Sequence, residues 1–439
     1  MALLPSNILQ NVQTFQMAEL AFMQNSFAAI MLSNKKFKDF NKLTANLGDT
    51  VTFDLAPRFV SRPGLVITNQ PSVQRPQPLV CSQATNTSSA YSDQQFIFNV
   101  EDYMSRFGMA AVKQIGTDIE SDILKSIDST LTVNDPENSG FGSLIPNTGP
   151  FRFYGNATTQ INSFGQLAQA LANFRAYGAD NSMTRCILPM QYVPSIVNTG
   201  LSQFAMTRNN EIANSWELGK FSDCEFYESN LLPLHISGTI GDATGGNNVV
   251  TVVTSNDPTG NNITNITFTE PTSSTSATAF QAGDLIQFND PTFRFLTFIG
   301  QKPTSLPVQL VVTGVAASSA GTVSVNVRTA TNIGLVSAPI QNQNINKALI
   351  AGMTATVMPS HQTGIIWSGD QWYLAMPQLP DYEPYPSVQQ TDPESGASMR
   401  HYWGNLFGKN VRSYVRDAIW GSTLVPENCM RLLFPINMY

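Results

Sequence analysis

The sequence is poor in charged residues. Asp, Glu, Lys and Arg together make up 13% of the 439 residues, about half the fraction of a typical soluble protein. Neutral amide and hydroxyl side chains take their place, and such groups bond across a contact without the desolvation cost of burying ions. This composition suits a protein that covers much of its surface with copies of itself. The net charge of -7 argues against a polycationic nucleic-acid binder, because neutralising phosphates requires clustered Lys and Arg.

Cysteine and long apolar runs are scarce as well. The four cysteines lie far apart with no CxxC pair, so the sequence indicates neither a disulfide scaffold nor a zinc site. We expect buried free thiols, which fit a reducing cytoplasm during folding. The apolar stretch from Met17 to Leu32 is interrupted by Glu19, Gln24 and Asn25, so neither a signal peptide nor a membrane span is predicted.

The motifs of common enzymes and metal sites are also missing. No HExxH, GxSxG, Walker, GxGxxG or EF-hand pattern is present. His235, His361 and His401 are dispersed in the sequence, which favours neither a shared metal nor a catalytic arrangement. A β-rich carbohydrate-active enzyme would need paired carboxylates in an aromatic cleft, and no such pair is evident. We therefore expect no catalytic, cofactor-binding or metal site, and a protein that is not an enzyme.

One stretch predicts a long helix around which the chain is organised. It runs from Asn99 to Asp128 without proline, and Asn99 is a suitable N-cap. Isoleucine recurs at every fourth position at the end of an apolar row through Phe107, Ala111, Ile115, Ile119, Ile123 and Ile127. A strict four-residue spacing advances an ideal helix by about 400° per step, so the apolar row drifts around the helix. Such a helix packs against different parts of the chain along its length, although an ordinary amphipathic core helix fits this stretch equally well.

The residues before this helix divide into two parts. Residues 1–45 carry an apolar helical pattern rich in Phe and Met, which needs a docking surface. Residues 46–98 begin with the alternating run GDTVTFDLAP and continue with five prolines, which exclude a helix or a central strand. We expect an extended β-loop there. A loop of this length is unusual inside a compact domain, and it is less unusual if it reaches a neighbouring subunit.

After the helix the sequence indicates an α/β layer with an insertion. An amphipathic helix through Phe164, Leu167, Leu171 and Phe174 precedes the buried strand TRCILPM. From Ile236 to Ile345 only eight of 110 residues are charged, and short β-favouring runs alternate with turn signals, as in an antiparallel barrel or sandwich. A helical pattern is predicted to resume at AGMTATVM. Strands follow at IIWSG, QWYLAMP, SMRHYWGN, VRSYVRDAIWG and NCMRLLF.

Three segments resemble one protein family. They are DCEFYESNLLPL, ending at Leu234; AGDLIQF, from Ala282 to Phe288, followed by FLTFIGQ; and the stretch from Ile345 to Pro380. Together with the order of parts, they resemble the major capsid proteins of tailed bacteriophages, and specifically the coat protein of the short-tailed Salmonella phage type, which carries an inserted domain. The resemblance covers most of the chain at low identity. The insertion departs from the family pattern, because uncharged GGNN and TGNN turns replace a long charged loop.

The resemblance implies a fold class and a division of the chain. The expected fold is α+β, the tailed-phage major capsid protein fold, with a long spine helix, an extended β-loop, an α/β axial domain and an inserted antiparallel β-barrel domain. The parts are an N-terminal arm (1–45), an extended loop (46–98), a peripheral-domain spine helix (99–130), the axial domain in two parts (131–234 and 346–395), the inserted β-barrel (235–345) and peripheral-domain C-terminal strands (396–439).

The resemblance also implies a function and partners. The expected function is a major capsid protein that self-assembles into hexamers and pentamers of an icosahedral shell enclosing the DNA genome. Implied partners are other copies of the chain, a scaffolding protein and a portal during assembly, and packaged double-stranded DNA without sequence-specific binding; no membrane and no cofactor is implied. The protein would be made in the host bacterial cytoplasm and end in the virion. The structural alternative is a phage tail or head-decoration protein.

Contacts between copies are predicted at five residues. Arg58 and Arg62 lie in the extended loop, and Asp118, Glu120 and Asp122 lie on the spine helix. We expect the arginines of one copy to pair with the acidic groups of the next, although a solvent-facing arginine is an equally good interpretation. Residues 46–95 contain no lysine, so the covalent lysine–asparagine cross-link of some capsids with this fold is not expected.

Overall fold

The fold is known from a computed structural model. It describes residues 20, 22–23, 29–30, 50–61, 64–65, 69, 72, 75–81, 83–92, 108–128, 150–155, 161–178, 183–196, 220–221, 223–243, 248–255, 263–271, 276–297, 300–319, 321–328, 343–369, 372–379, 387–391, 397–405 and 411–436.

Two helices carry the predicted apolar spacings. Helix α1 spans Met109–Asp128 and helix α2 spans Phe164–Ala176. The four isoleucines of α1 and the four apolar residues predicted for α2 are all buried, which confirms both predictions over these ranges. Ser163 caps α2 and accepts a hydrogen bond from the Gln166 amide at 3.4 Å. The predicted N-terminal part of the long helix, residues 99–107, lies outside the described residues.

The rest of the described structure is mainly strand. In chain order the strands are β1 (Thr50–Leu55), β2 (Arg75–Val80), β3 (Gln83–Ser92), β4 (Phe153–Tyr154), β5 (Thr184–Pro189), β6 (Lys220–Phe221), β7 (Cys224–Ser229), β8 (Leu234–His235), β9 (Val249–Ser255), β10 (Asn265–Thr269), β11 (Leu285–Phe288) and β12 (Arg294–Leu296). They continue as β13 (Pro303–Pro307), β14 (Gln309–Val312), β15 (Ser318–Ser319), β16 (Thr322–Arg328), β17 (Thr354–Val357), β18 (His361–Ser368), β19 (Trp372–Ala375), β20 (Ser387–Thr391), β21 (Ser398–Asn405), β22 (Val411–Leu424) and β23 (Cys429–Phe434). Short 3-10 helices span Met190–Tyr192 and Pro426–Asn428.

A mixed sheet lies between the two helices. Its strand order is β4-β23-β18-β5-β7-β6, with β8 paired to β18. Side chains alternate across a strand, and along β5 Ile187 packs in the α1 cluster while Cys186 and Leu188 pack in the α2 cluster. The sheet is therefore covered by apolar contacts on both faces. We refer to this layer, with its two helices, as the body.

A second sheet lies against α1. Its order is β19-β22-β21-β20, and β3 pairs along most of β22, from Val411 to Trp420. Strands β1 and β2 form a separate antiparallel hairpin, as predicted for the extended loop. Two pairings cross the predicted division: β19, which was placed in the axial domain, pairs with β22, and β23, which was placed in the peripheral domain, pairs with β18. Sequence order does not determine which strands pair, because pairing depends on long-range packing.

The insertion forms a closed antiparallel barrel of six strands. The order β10-β9-β17-β11-β14-β16 is completed by pairing of β16 with β10. The predicted antiparallel barrel is confirmed, but two details are wrong. AGMTATVM is not helical, because it contains strand β17, in which Ala355 and Val357 face the barrel core between more exposed threonines. The barrel also extends beyond residue 345, since β17 bridges β9 and β11. The boundary at residue 345 was predicted from the point where charged residues become frequent again. The strand that closes the barrel, β17, lies beyond that point, and its composition resembles that of the neighbouring strands.

Candidate functional site

Helix α1 is the centre of the body. Its buried residues share one apolar cluster with strands of both sheets. The same cluster includes four residues of the N-terminal region, namely Leu20, Met23, Ala29 and Ile30, all with 1% exposure or less. The helix therefore packs against several parts of the chain, as the drifting row of isoleucines predicted, and it provides a docking surface for the apolar N-terminal residues.

Glu120 connects the N-terminal residues to α1 by hydrogen bonds. Its carboxylate accepts hydrogen bonds from the backbone N–H of Ala29 at 2.9 and 3.0 Å and from that of Ile30 at 3.1 Å. The side chain is buried, and this burial raises the pKa of Glu120 to about 7 even though the two N–H donors lower it. Glu120 was predicted to contact another copy of the chain. In the folded chain it is instead committed to an internal contact, which we call the arm joint.

Asp118 and Asp122 lie on the more exposed side of the same helix. Asp118 accepts hydrogen bonds from Thr85 Oγ1 at 3.1 Å and Gln114 Nε2 at 2.9 Å, and Asp122 lies 3.3 Å from Lys125 Nζ. Both carboxylates line an open polar groove of about 440 Å³ between α1 and β3. The structure thus brings these two predicted residues together at a surface that is accessible in the single chain.

Arg58 is paired within its own chain. Its Nη2 lies 2.8 Å from Glu427 Oε2, and its Nη1 donates a hydrogen bond to Asn344 Oδ1 at 2.9 Å. The two charged side chains are only 8% and 3% exposed, so the predicted pairing of Arg58 with α1 of another copy does not match its position. Sequence reasoning missed Glu427 because it lies 369 positions further along the chain. Arg62 lies outside the described residues.

A second buried contact on α1 joins the helix, the mixed sheet and the barrel. Asp128, the last residue of α1, contacts both His235 Nδ1, at 2.8 Å, and the Arg431 guanidinium. His235 Nε2 lies 2.8 Å from Asp284 Oδ1 on the other side of the ring. Arg431 also donates a hydrogen bond to the Gly283 carbonyl at 3.2 Å. We call these five residues the junction cluster.

The five residues of the junction cluster come from four different segments. Asp128 ends α1, His235 is in β8 where the chain enters the barrel, and Arg431 is in β23 of the mixed sheet. Gly283 and Asp284 form the turn before β11. Gly283 has φ +92, and a Cβ at this position would lie 2.2 Å from the Asp128 carbonyl oxygen, so only glycine allows the turn to approach the helix end.

His361 lies beside the junction cluster. Its ring centroid is 5.1 Å from that of His235, and its Nδ1 lies 2.7 Å from the Pro359 carbonyl oxygen. Burial, with Arg431 and His235 nearby, holds the pKa of His361 well below its ordinary value. Two of the three histidines are thus neighbours in the fold although they are dispersed in the sequence, because β8 and β18 are paired.

The barrel has a further contact with the mixed sheet. The Gln309 side chain of β14 accepts a hydrogen bond from the Phe153 amide at 2.9 Å and donates one to the Phe153 carbonyl at 3.0 Å. Next to it the buried Arg152 guanidinium lies 4.0 Å from the Tyr177 ring centroid and donates to the Glu427 carbonyl at 3.0 Å. Burial lowers the pKa of Arg152 to about 10. These contacts leave a small cavity of about 200 Å³ between barrel and body.

We also searched the described residues for disulfides, metal sites and membrane-spanning helices. The four cysteines are free and buried, as predicted. No group of three or more His, Cys, Asp or Glu suited to a metal ion occurs in the described part of the chain. Within these same ranges, no helix has the length and apolar character needed to cross a bilayer.

Comparisons with known proteins give structural similarities only. No family model matches the sequence, and no curated protein matches it. Among solved structures, the capsid of Ralstonia phage GP4 is 9% identical, with 94% of this chain and 90% of that chain covered at a TM-score of 0.45. The capsid structure of the cyanophage P-SCSP1u is 10% identical, with 90% and 85% covered at a TM-score of 0.38. The head structure of the Helicobacter pylori bacteriophage KHP40 is 8% identical, with 90% and 86% covered at a TM-score of 0.36.

Proposed function

We propose that the chain is the major capsid protein of a tailed bacteriophage and self-assembles into hexamers and pentamers of an icosahedral shell around the DNA genome. The observation that carries the proposal is the organisation around α1. Segments that are distant in sequence, including N-terminal residues and strands from the C-terminal third, pack on this one helix, while a β-hairpin and a closed barrel are added to the same body. This agrees with the order of parts that the sequence resemblance implies.

The exposed side chains of the extended loop support self-association. Phe59 is 63% exposed and Leu65 is fully exposed, whereas Arg58 is anchored to Glu427 between barrel and body. A segment that is anchored at Arg58 and presents large apolar side chains to solvent is suited to contact another copy. The low charge of the chain favours the same outcome, since neutral contacts repeated around a closed ring add up without burying ions.

The finer assignments belong to the same proposal. We keep the resemblance to the short-tailed Salmonella phage type and the division into arm, loop, spine, axial, inserted and peripheral parts, with the inserted part extended to include β17. A scaffolding protein, a portal and packaged DNA are the proposed partners, and the host bacterial cytoplasm is the proposed site of synthesis. Asp118, Asp122 and Arg62 remain candidates for contact between copies. A tail or head-decoration protein is the alternative.

Expression of the full chain followed by negative-stain microscopy tests this proposal. Shells, or rings of five and six subunits, are expected. Phe59→Ser with Leu65→Ser should give folded monomers in place of shells, because both side chains are exposed and their loss leaves the core intact. Val315→Ser is the matched control, since Val315 is 60% exposed but lies in the barrel. Monomers from the unaltered chain, or tubes in place of closed shells, would contradict the proposal.

Electrophoresis under denaturing conditions examines the shells themselves. Because residues 46–95 contain no lysine, mature shells should dissociate into a single monomer band. A ladder of multimers that persists in reductant would show a covalent cross-link and contradict this expectation.

A further inference from the structure

The surroundings of His235 define the protonation state of its ring. Both ring nitrogens lie 2.8 Å from a carboxylate oxygen, Nδ1 from Asp128 and Nε2 from Asp284. A neutral imidazole has one N–H donor and one lone pair, so it would point a lone pair at one of the two carboxylates. The imidazolium carries an N–H on both nitrogens and a positive charge that matches both carboxylates. The two distances therefore favour a doubly protonated ring in the closed cluster.

Among the described side chains, the charges of the junction cluster balance with that proton in place. Asp128 and Asp284 contribute two negative charges, and Arg431 and His235 contribute two positive charges, all with side chains that are fully buried. Loss of the His235 proton gives these four side chains a net negative charge away from water, which is unfavourable. Burial alone lowers the pKa of His235, but Asp128 and Asp284 outweigh it, so the net pKa is raised.

The same proton connects the barrel to the body. Asp284 is held in the barrel, since it accepts hydrogen bonds from the backbone N–H of Gln281 at 2.7 Å and of Gly238 at 3.2 Å. Asp128 is held in the body by α1 and by Arg431. His235 is the side chain that reaches both carboxylates. Opening either of its contacts therefore removes the link between Asp128 and Asp284, and only Arg431, which contacts Asp128 and the Gly283 carbonyl, still joins the helix end to the barrel turn among the described side chains of the cluster.

We propose that the junction cluster is a proton-dependent lock between the barrel and the body, closed when His235 is protonated and loosened when that proton is lost. The charged and titratable groups that face His235 are Asp128 from α1, Asp284 from the barrel turn, Arg431 from β23 and His361 from β18. His361 stays neutral, because its Nδ1–H is directed at the Pro359 carbonyl and its pKa is lowered. His235 is thus the group whose charge changes. The lock belongs to the single chain and does not require the proposed function.

The direction of the pH effect follows from linkage. The pKa of His235 is raised above its ordinary value of 6.5 in the folded chain. Its contribution to stability is therefore complete below pH 6.5 and is lost as the pH rises through the higher folded value. The barrel should therefore loosen as the pH rises above 6.5.

Nuclear magnetic resonance of the full chain labelled with [15N]histidine tests the lock directly. The chain contains three histidines, so their ring signals can be assigned with a His401→Gln variant. When the pH is raised from 6 to 9, the ring of His235 should lose its second proton at a pH above 6.5, and the other two rings should be neutral throughout. A His235 ring that is already neutral at pH 6.5 would overturn the proposal, and this measurement needs no substitution within the cluster.

Thermal unfolding of the full chain between pH 7 and 9 provides the second test. The melting temperature of the unaltered protein should fall by several degrees over this range, and His235→Gln should melt lower at pH 7 and lose most of that dependence. His401→Gln is the matched control, because His401 is equally buried but contacts Tyr414 at 3.0 Å in another sheet. It should keep the pH dependence of the unaltered protein. Equal slopes in all three proteins would overturn the lock.

Discussion

The arm joint and the junction cluster bury carboxylates on the same helix in opposite ways. Glu120 and Asp128 lie about two turns apart on α1, and each is 1% exposed or less. The described neighbours of Glu120 are apolar side chains and two backbone N–H groups, whereas Asp128 contacts two cationic side chains. Burial of an ionised carboxylate has a desolvation cost at both positions. The comparison shows that the surrounding charge decides whether this cost is offset.

This difference predicts how strongly the arm joint and the junction cluster each stabilise the contacts they make. A buried carboxylate without a cation gains stability by taking up a proton, which is why the pKa of Glu120 is raised to about 7. In the junction cluster, removal of one charged partner would leave the others unpaired, at a cost of about 3–5 kcal/mol. We therefore expect the arm joint to respond to small changes near neutral pH and the junction cluster to hold the barrel in a defined position until one of its groups is altered.

The largest expected effect concerns whether the barrel folds without the junction cluster. Residues 234–360, expressed alone, contain all six barrel strands, and we expect cooperative unfolding with β-type circular dichroism. Residues 234–346 lack β17 and leave β9 and β11 unpaired on one side, so this fragment should be disordered or aggregate. Comparing the two fragments shows whether folding requires the closing strand β17 or only the segment between the two changes in composition.

The stability of the longer fragment is limited because part of the barrel core is covered by residues of the body. Phe151 and Tyr177 of the body pack on the barrel residue Phe295, with ring centroids 5.7 and 5.6 Å apart. Their absence exposes part of the barrel core and lowers the stability of the longer fragment. A longer fragment as disordered as the shorter one would show that the barrel needs the body in order to fold.

The next largest effect is expected from a substitution at Gly283, where the barrel turn lies against the end of α1. Gly283→Ala places a Cβ 2.2 Å from the Asp128 carbonyl and forces a positive φ on alanine, so we expect a loss of about 3 kcal/mol or more. Gly352→Ala is the matched control. It has φ +87 with nothing within 4 Å of the added Cβ, and it should lose about 1 kcal/mol from the backbone alone. Chemical denaturation of both variants measures the difference, and equal losses would contradict a tight helix–turn contact.

Sequence reasoning predicted the local elements better than the contacts between them. The spacing of Ile115, Ile119, Ile123 and Ile127 reports helical periodicity directly, and alternation with turn residues reports the barrel strands. The pairing of β23 with β18, and of β19 with β22, could not be read in this way. It depends on which strands share a face, and strands of similar composition offer no local signal for this choice.

The candidate site was harder still to predict. Arg58 and Glu120 were identified as important charges, but their partners, Glu427 and the backbone at Ala29, lie far away in sequence. For the junction cluster there was a usable signal. Gly283 and Asp284 belong to the segment AGDLIQF, and His235 directly follows the segment that ends at Leu234. A motif match alone could not show that these two segments meet Asp128 and Arg431, because that meeting requires the closed barrel.

The smallest expected effect concerns the arm joint and changes with pH. The pKa of Glu120 is about 7 in the folded chain against an ordinary value of 4.5, so the folded state binds more protons and stability falls as the pH rises from about 4.5 through 7. A shift of this size corresponds to about 3 kcal/mol. Glu120→Gln removes the charge and keeps one acceptor oxygen for Ala29 and Ile30. The weaker hydrogen bonds of the amide offset about 1 kcal/mol of this. We therefore expect the free energy of unfolding of Glu120→Gln to be about 2 kcal/mol higher than that of the unaltered chain at pH 8 and slightly lower at pH 4.5.

Urea denaturation at the two pH values measures both differences. Asp118→Asn is the control, because Asp118 is partly exposed on the same helix and its replacement should change stability by less than about 0.5 kcal/mol. A Glu120→Gln variant that is less stable at pH 8 would show that the carboxylate holds the N-terminal residues as an ion, which would remove the contrast between the two joints.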